Sequence, residues 1–186
     1  MNKLFIISGP SCAGEDSVIE GLEKYFDIER VTTTTTRPMR KGEHQGNPYY
    51  FISKEKFEEK IKKSEMLEYA KEHNDEYYGV TKEEIEKAKK SDKITIWKIG
   101  CKGVKTIKKI MPEIPAILIN APNIKTLEKR LRKRNPEASE EYIKERLKNT
   151  KGWSEIKNIF DYEVINEDGK LDETIKKVAK IIKKES

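Results

Sequence analysis

The chain has 186 residues, 39 of them Lys or Arg and 33 Asp or Glu, for a formal net charge of +6. Charged residues make up 39% and hydrophobic ones 35%. That supports one compact domain with a small inserted lobe, and no apolar run approaches the roughly 20 residues of a membrane span. Lys alternates with Glu over residues 54–63 and 82–90, the pattern of solvated helix faces rather than of a nucleic-acid surface. The two cysteines, Cys12 and Cys101, show neither a disulfide framework nor metal-ligand spacing, which fits a reduced cytoplasmic setting. The apolar pattern starts at residue 4, so no leader peptide is expected.

Residues 4–7 (Leu-Phe-Ile-Ile) predict a buried parallel strand. A loop bounded by Gly9 and Gly14 follows, with Pro10, Ser11, Cys12 and Ala13 between them, and a helical pattern begins near Val18. Strand, glycine loop and helix is the layout that holds phosphate, because converging backbone N–H groups and a helix N-terminus attract an anion. Gly9, Ser11, Cys12, Ala13, Gly14, Asp16 and Ser17 are therefore candidate nucleotide-phosphate residues, with Cys12 as a small spacer. Asp16 and Ser17 also suit helix N-caps. The motif departs from G-x-x-x-x-G-K-[ST] at two places: Glu15 stands at the lysine position and Asp16 at the hydroxyl position.

Residues 28–31 predict a second strand, followed by the run Thr32-Thr-Thr-Thr-Thr-Arg37-Pro-Met-Arg40. Two arginines spaced by Pro-Met suggest a bidentate clamp on a dianionic phosphate, and Tyr49, just past a turn, can donate to the same anion. Ser53 is expected to cap a helix to about residue 63. Residues 66–70 and 77–80 read as strands joined by a polar turn, His73-Asn-Asp-Glu. Glu68 lies in an otherwise apolar strand, either as an exposed-face residue or as a carboxylate that accepts from a guanine base edge. Thr81 is expected to cap a helix to about Lys90.

The remainder alternates: strand 93–99, helix 103–111, strand 114–119, helix 124–134, a helix opened by Pro136 with Asn135 as its cap, strand 162–165 and an amphipathic helix 171–184. Alternation of this kind predicts an α/β fold with a parallel sheet and right-handed crossovers, binding at the strands' carboxyl ends. Residues 33–80, richer in short strands, read as a small antiparallel lobe carrying an acceptor site.

Gly9-Pro-Ser-x-Ala-Gly14, Arg37-Pro-x-Arg40-x-Gly-Glu43-x-x-Gly46-x-x-Tyr49-x-Phe51, Glu68-Tyr-Ala, Tyr77-Tyr78-Gly79, Arg130-Leu-x-x-Arg134, Arg146-Leu and Val164-Ile-Asn166-Glu-Asp168 together resemble the guanylate kinase family over nearly the whole chain. The arginine–tyrosine block is the specific part of the match; the glycine loop alone is not. The resemblance implies a P-loop NTPase three-layer core (residues 1–32, 81–134 and 151–186), an acceptor-binding lobe (33–80) and a helical lid (135–150). It implies Arg37, Arg40, Tyr49 and Tyr78 on the acceptor phosphate, Thr33 at a family serine position of the acceptor site, Glu68 on guanine, Arg134 and Arg146 as lid arginines on the transferring phosphoryl, and Asn166 on the donor-nucleotide side. It also implies ATP as donor, GMP or dGMP as acceptor, and Mg2+, for which Asp16 is the candidate ligand. A monomer or homodimer acting on small-molecule nucleotides is expected.

Besides Glu15 and Asp16, the chain has Lys98 and Gly100 where the family usually carries acidic residues, and Val80 in place of a small hydroxyl residue. Lys98 reads as a possible stand-in for the missing loop lysine, with Glu15 turned aside or paired to it; the other reading is a surface lysine or a Glu15 ion pair. A second function class stays open: a guanylate-kinase-like module that binds phosphate or phosphopeptide without catalysis. The lid arginines favour the enzyme, since a scaffold needs no donor-side clamp.

Overall fold

The computed structural model describes residues 3–71 and 75–186. Among these, β1 (Leu4–Ser8), β2 (Ile28–Arg30), β7 (Ile94–Trp97), β8 (Ala116–Asn120) and β9 (Tyr162–Ile165) form a five-stranded sheet in the order β2-β7-β1-β8-β9, with every pair parallel. Between β2 and β7 the chain makes a second, four-stranded sheet, β4-β3-β6-β5, from β3 (Thr33–Thr35), β4 (Tyr49–Phe51), β5 (Met66–Lys71) and β6 (Tyr77–Thr81). The antiparallel lobe expected for residues 33–80 is this sheet, with α2 (Lys54–Lys62) beside it; its edge pair β3–β4 is parallel. Residues 73 and 74 of the expected polar turn lie outside the described residues.

All five residues of β1 are buried, because both sheet faces are covered. Alternate side chains feed opposite layers. Phe5 and Ile7 pack with α1 (Glu15–Leu22), α5 (Ile124–Arg134) and α8 (Leu171–Glu185) through Val18, Ile19, Leu22, Leu127, Val178 and Ile182. Leu4 and Ile6 pack with α3 (Lys82–Lys90) and α4 (Cys101–Ile110) through Ile85, Val104, Ile107 and the wholly buried Trp97. Each such Leu, Ile or Phe contributes about 1.5–3 kcal/mol on burial, so the three-layer core follows from the unbroken apolar run of β1.

Ser53 and Thr81 cap their helices as expected, accepting from Lys56 N–H at 3.3 Å and Glu84 N–H at 3.2 Å. The helix expected from Pro136 begins later: α6 is Glu140–Lys148, and its N-cap is Ser139, whose Oγ accepts from Tyr142 N–H at 3.2 Å. Asn135 instead ends α5, its backbone N–H donating to Leu131 O at 3.0 Å. Ser139 wins because it precedes Glu140 and Glu141, whose charges suit a helix N-terminus. A further short helix, α7 (Thr150–Glu155), had no distinct periodic signal in the sequence. No helix among the described residues is long and apolar enough to cross a membrane.

Candidate active site

The glycine loop opens at the carboxyl end of β1, and its shape is fixed by its carbonyls. Asn166 Nδ2 donates to Ala13 O at 2.8 Å, and Arg130 Nη1 donates to Cys12 O and Ala13 O at 3.3 Å each. Arg130 is itself held by Asp168, at 2.9 Å from Nε and 2.7 Å from Nη2. Peptide planarity turns the N–H of Gly14 away from the Ala13 carbonyl. Gly14 has φ +102, and a β-carbon there would meet Asn166 Nδ2 at 2.4 Å, so the position is closed to other residues. Gly14 is also the N-cap of α1, which places Asp16 and Ser17 inside the first turn; neither is a cap.

The two substituted positions behave differently from each other. Glu15 is buried, and its carboxyl group turns back to accept from Gly14 N–H at 3.2 Å. Burial is the main force pushing its pKa up to about 7; Asp16 adds to this, while Lys98 and the backbone donors oppose it. Asp16 faces outward. Lys98 Nζ lies 2.6 Å from its Oδ2, and Arg30 Nη1 lies 3.6 Å from its Oδ1. The lysine thus pairs with Asp16 and not, as one reading of the sequence had it, with Glu15 by direct contact. Burial works to lower the Lys98 pKa, but the carboxylates of Glu15 and Asp16 outweigh it and hold the lysine above its ordinary value.

Two arginines, Arg134 at the end of α5 and Arg146 on α6, converge on the loop. Arg134 Nη2 and Arg146 Nη2 donate to Ser11 Oγ at 3.3 and 3.0 Å. The Nε–H of Arg146 is buried and meets no acceptor among the described residues. Two guanidinium groups on one neutral hydroxyl carry far more donor capacity than that hydroxyl uses, which suits a polyanion.

In the lobe, Arg37 makes a fork-to-fork pair with Glu43, at 2.7 Å from Nη1 and 2.6 Å from Nη2. Its plane lies over the rings of Tyr49 and Phe51, 5.2 and 5.3 Å from their centroids, and Tyr78 meets Tyr49 edge-on. The Arg37 hydrogen bonds are the main reason the Glu43 pKa is held down to about 2. The expected arginine clamp is therefore half engaged. Arg37 is buried and its Nη1 also donates to Pro38 O at 2.8 Å, whereas Arg40 is exposed and touches Glu43 through its backbone N–H at 2.8 Å. Thr33 is buried in β3, in register with Tyr49.

Glu68 is buried, which removes its exposed-face reading. Its carboxylate lies against the first turn of α4, where a β-carbon on Gly103 would sit 3.0 Å from Oε2. The helix N-terminus attracts a carboxylate there. Gly100 is the N-cap of α4 and supplies no side chain to that end, so Glu68 is the acidic group presented to it.

Thus the fold gathers Ser11, Ala13, Gly14, Arg134, Arg146 and Asn166 around the glycine loop, with Asp16 and Lys98 at its edge. It gathers Arg37, Tyr49 and Tyr78 beside the four-stranded sheet. Ser17 is exposed on the first turn of α1. Sequence reasoning assigned no role to Arg30, Glu43, Arg130 or Asp168. Arg130 had a usable signal, since it lies four residues before Arg134 on the same helix face.

A family model described as guanylate kinase matches residues 1–185. A guanylate kinase of Fusobacterium nucleatum is 38% identical over 166 residues, covering 89% of this chain and 89% of that one. One from Prochlorococcus marinus subsp. pastoris is 39% identical over 184 residues, covering 98% of each. Among solved structures, the crystal structure of guanylate kinase from Anaplasma phagocytophilum matches with a TM-score of 0.74 at 24% identity, over 98% of this chain and 85% of that one, a likeness of fold.

Proposed function

The chain belongs to the guanylate kinase family of phosphotransferases, and from that premise we propose that it transfers the γ-phosphoryl group of ATP to GMP or dGMP in the cytoplasm. The observation that carries this reading beyond family membership is the meeting of Arg134 and Arg146 on Ser11 of the loop. A module that only bound a monophosphate would have no use for two lid guanidiniums over the donor loop.

The step itself balances without a general base. A non-bridging oxygen of the acceptor's dianionic phosphate attacks the γ-phosphorus. The bond from that phosphorus to the β–γ bridging oxygen breaks, and its electron pair leaves with ADP. The protein's part is positioning and charge stabilisation. In this reading Arg37, Arg40, Tyr49 and Tyr78 hold the acceptor phosphate, with Thr33 alongside. Glu68 accepts from the N1–H and 2-amino group of guanine. The loop, Ser11 and Asn166 hold the donor, and Arg134 and Arg146 neutralise charge as it shifts to the leaving oxygen.

Mg2+ fits one residue of this donor set. Asp16 is a hard oxygen ligand, 57% exposed at the loop edge. No cluster of three or more His, Cys, Asp or Glu among the described residues suits a metal. That is the donor set for an ion that arrives with the nucleotide and takes a single protein carboxylate. Such an ion supplies charge neutralisation at the phosphoryl oxygens.

The test is ADP formation from ATP with GMP, dGMP or AMP as acceptor, in the parent and in Glu68→Ala. The parent should accept GMP and dGMP at least about tenfold better than AMP, the scale of one lost paired contact to a base edge, and the variant should lose that preference. Equal rates with GMP and AMP in the parent would reject the guanine assignment. Absence of transfer with every acceptor would move the chain to the phosphate-binding class.

A further inference from the structure

Resting on the reading of the chain as an ATP-using kinase, we propose that Lys98 is the catalytic cation of the donor site, contacting the phosphate oxygens of ATP from the β7 side in place of the lysine the loop lacks. A phosphate loop that carries Glu15 and Asp16 after its last glycine has no cation of its own. The β- and γ-phosphates of ATP carry several negative charges, and a site that transfers phosphoryl groups must meet them with positive charge.

The cations near the loop sort by how far they are already committed. Arg130 spends its donors on Asp168, Asn166 and the carbonyls of Cys12 and Ala13, so it braces the loop from behind. Arg134 and Arg146 approach from the lid, on Ser11. Arg30 stands farther out, 3.6 Å from Asp16. Lys98 remains. It follows Trp97, whose register partner is Ile6, so it emerges level with the end of β1 where the loop departs. Its ammonium lies 2.6 Å from Asp16, two residues past the last loop glycine.

The Asp16–Lys98 pair is open to water, with side chains 57% and 39% exposed. An ion pair so exposed is held weakly and exchanges readily for a more highly charged partner. Lys98 uses one of its three N–H donors on Asp16 and carries a flexible four-carbon stem, so it can turn to a phosphate without backbone movement. Asp16 thus keeps the lysine at the mouth of the loop until the nucleotide arrives. The charge exchange between positions 15 and 98 acquires a purpose: the cation has moved from the loop to the neighbouring strand.

Calorimetry with ATP in EDTA, which removes any contribution of a metal at Asp16, reads the contact directly. Lys98→Ala and the longer neutral Lys98→Gln should each bind metal-free ATP at least about tenfold more weakly than the parent, as expected for a lost charge-assisted contact. Asp16→Asn, which frees the lysine and removes a negative charge, should bind it more tightly. With metal restored, Lys98→Ala should slow transfer to GMP by about 10²–10³, the scale of removing one charge-stabilising donor, while GMP affinity stays at the parental value. Unchanged affinity for metal-free ATP in both Lys98 variants, or parental transfer rates, would overturn the assignment. A parent that transfers nothing would refute the kinase reading, and the metal-free ATP titrations would still judge Lys98 independently.

Discussion

The four-stranded lobe and the glycine loop place charge in opposite ways. In the lobe the expected arginines and tyrosines are present, with Val80 the departure, and the structure draws Arg37, Tyr49 and Tyr78 together with Glu43 already seated in the arginine fork. On the donor side the loop keeps its glycines and its braces, Arg130 and Asn166, but the charges at its end have been redistributed. Glu15 lies inward on a loop N–H, and Lys98 reaches in from the adjacent strand to Asp16. The contrast teaches that a phosphate loop's shape and its charge are separable. Shape comes from carbonyls tied down behind the loop, while the charged side chains past its last glycine take partners of their own, Glu15 on Gly14 N–H and Asp16 on Lys98.

The sharpest way to break the comparison is through the lid. Arg134→Ala combined with Arg146→Ala should lower transfer by about 10³ or more, since each removes a charge-stabilising group. GMP affinity, a property of the lobe, should hold in a calorimetric titration. A parallel loss of GMP affinity would mean that the two halves are not separate.

Glu15 gives the next effect, seen in stability. Its folded pKa of about 7 lies above the ordinary 4.5. The folded chain therefore holds a proton that the unfolded chain gives up over that interval. Stability from this group is complete below pH 4.5 and is lost as pH rises through 7. The loss by pH 8 is about 3 kcal/mol, at roughly 1.4 kcal/mol for each pH unit. Glu15→Gln keeps an oxygen for Gly14 N–H without the charge. Denaturant unfolding of this variant should be flatter between pH 5 and 7, and the variant should be the more stable protein at pH 8. A parent whose stability rises over that interval while the variant tracks it would show that Glu15 is not the buried group responsible.

A smaller effect belongs to the lobe. Arg37→Ala should weaken GMP by about 1.5–3 kcal/mol, roughly 10- to 150-fold, through loss of charge-assisted contacts. Guanosine, which has no phosphate, should bind as before. Equal losses for both ligands would assign Arg37 to holding Glu43 and the lobe loop.

Much of this was legible in the sequence because the relevant signals are local. The apolar run of β1, the glycine spacing, Ser53 and Thr81 before their helices and the alternation of strand and helix each depend on a few neighbouring residues. The start of α6 was misplaced because Asn135-Pro136 and Ser139 both carry cap chemistry, and only tertiary placement of the lid decides between them. Glu68 could not be assigned to inside or outside from its strand alone, since its burial depends on α4, which arrives some 35 residues later. The direction of Glu15 was equally hidden. A carboxylate can accept from the loop's own N–H or face solvent, and local sequence does not rank these. Arg30 and Arg130 act through partners on other elements, so their spacing alone gave them no role.

A loop without its lysine should still serve phosphoryl transfer to a guanine monophosphate. Phosphorus NMR of the unmodified protein with ATP, GMP and Mg2+ tests it most directly, because every phosphate in the mixture is seen at once. ATP and GMP signals should decline together, and ADP and GDP should grow in equal amounts. Inorganic phosphate growing in place of GDP, or spectra that do not change at all, would contradict it.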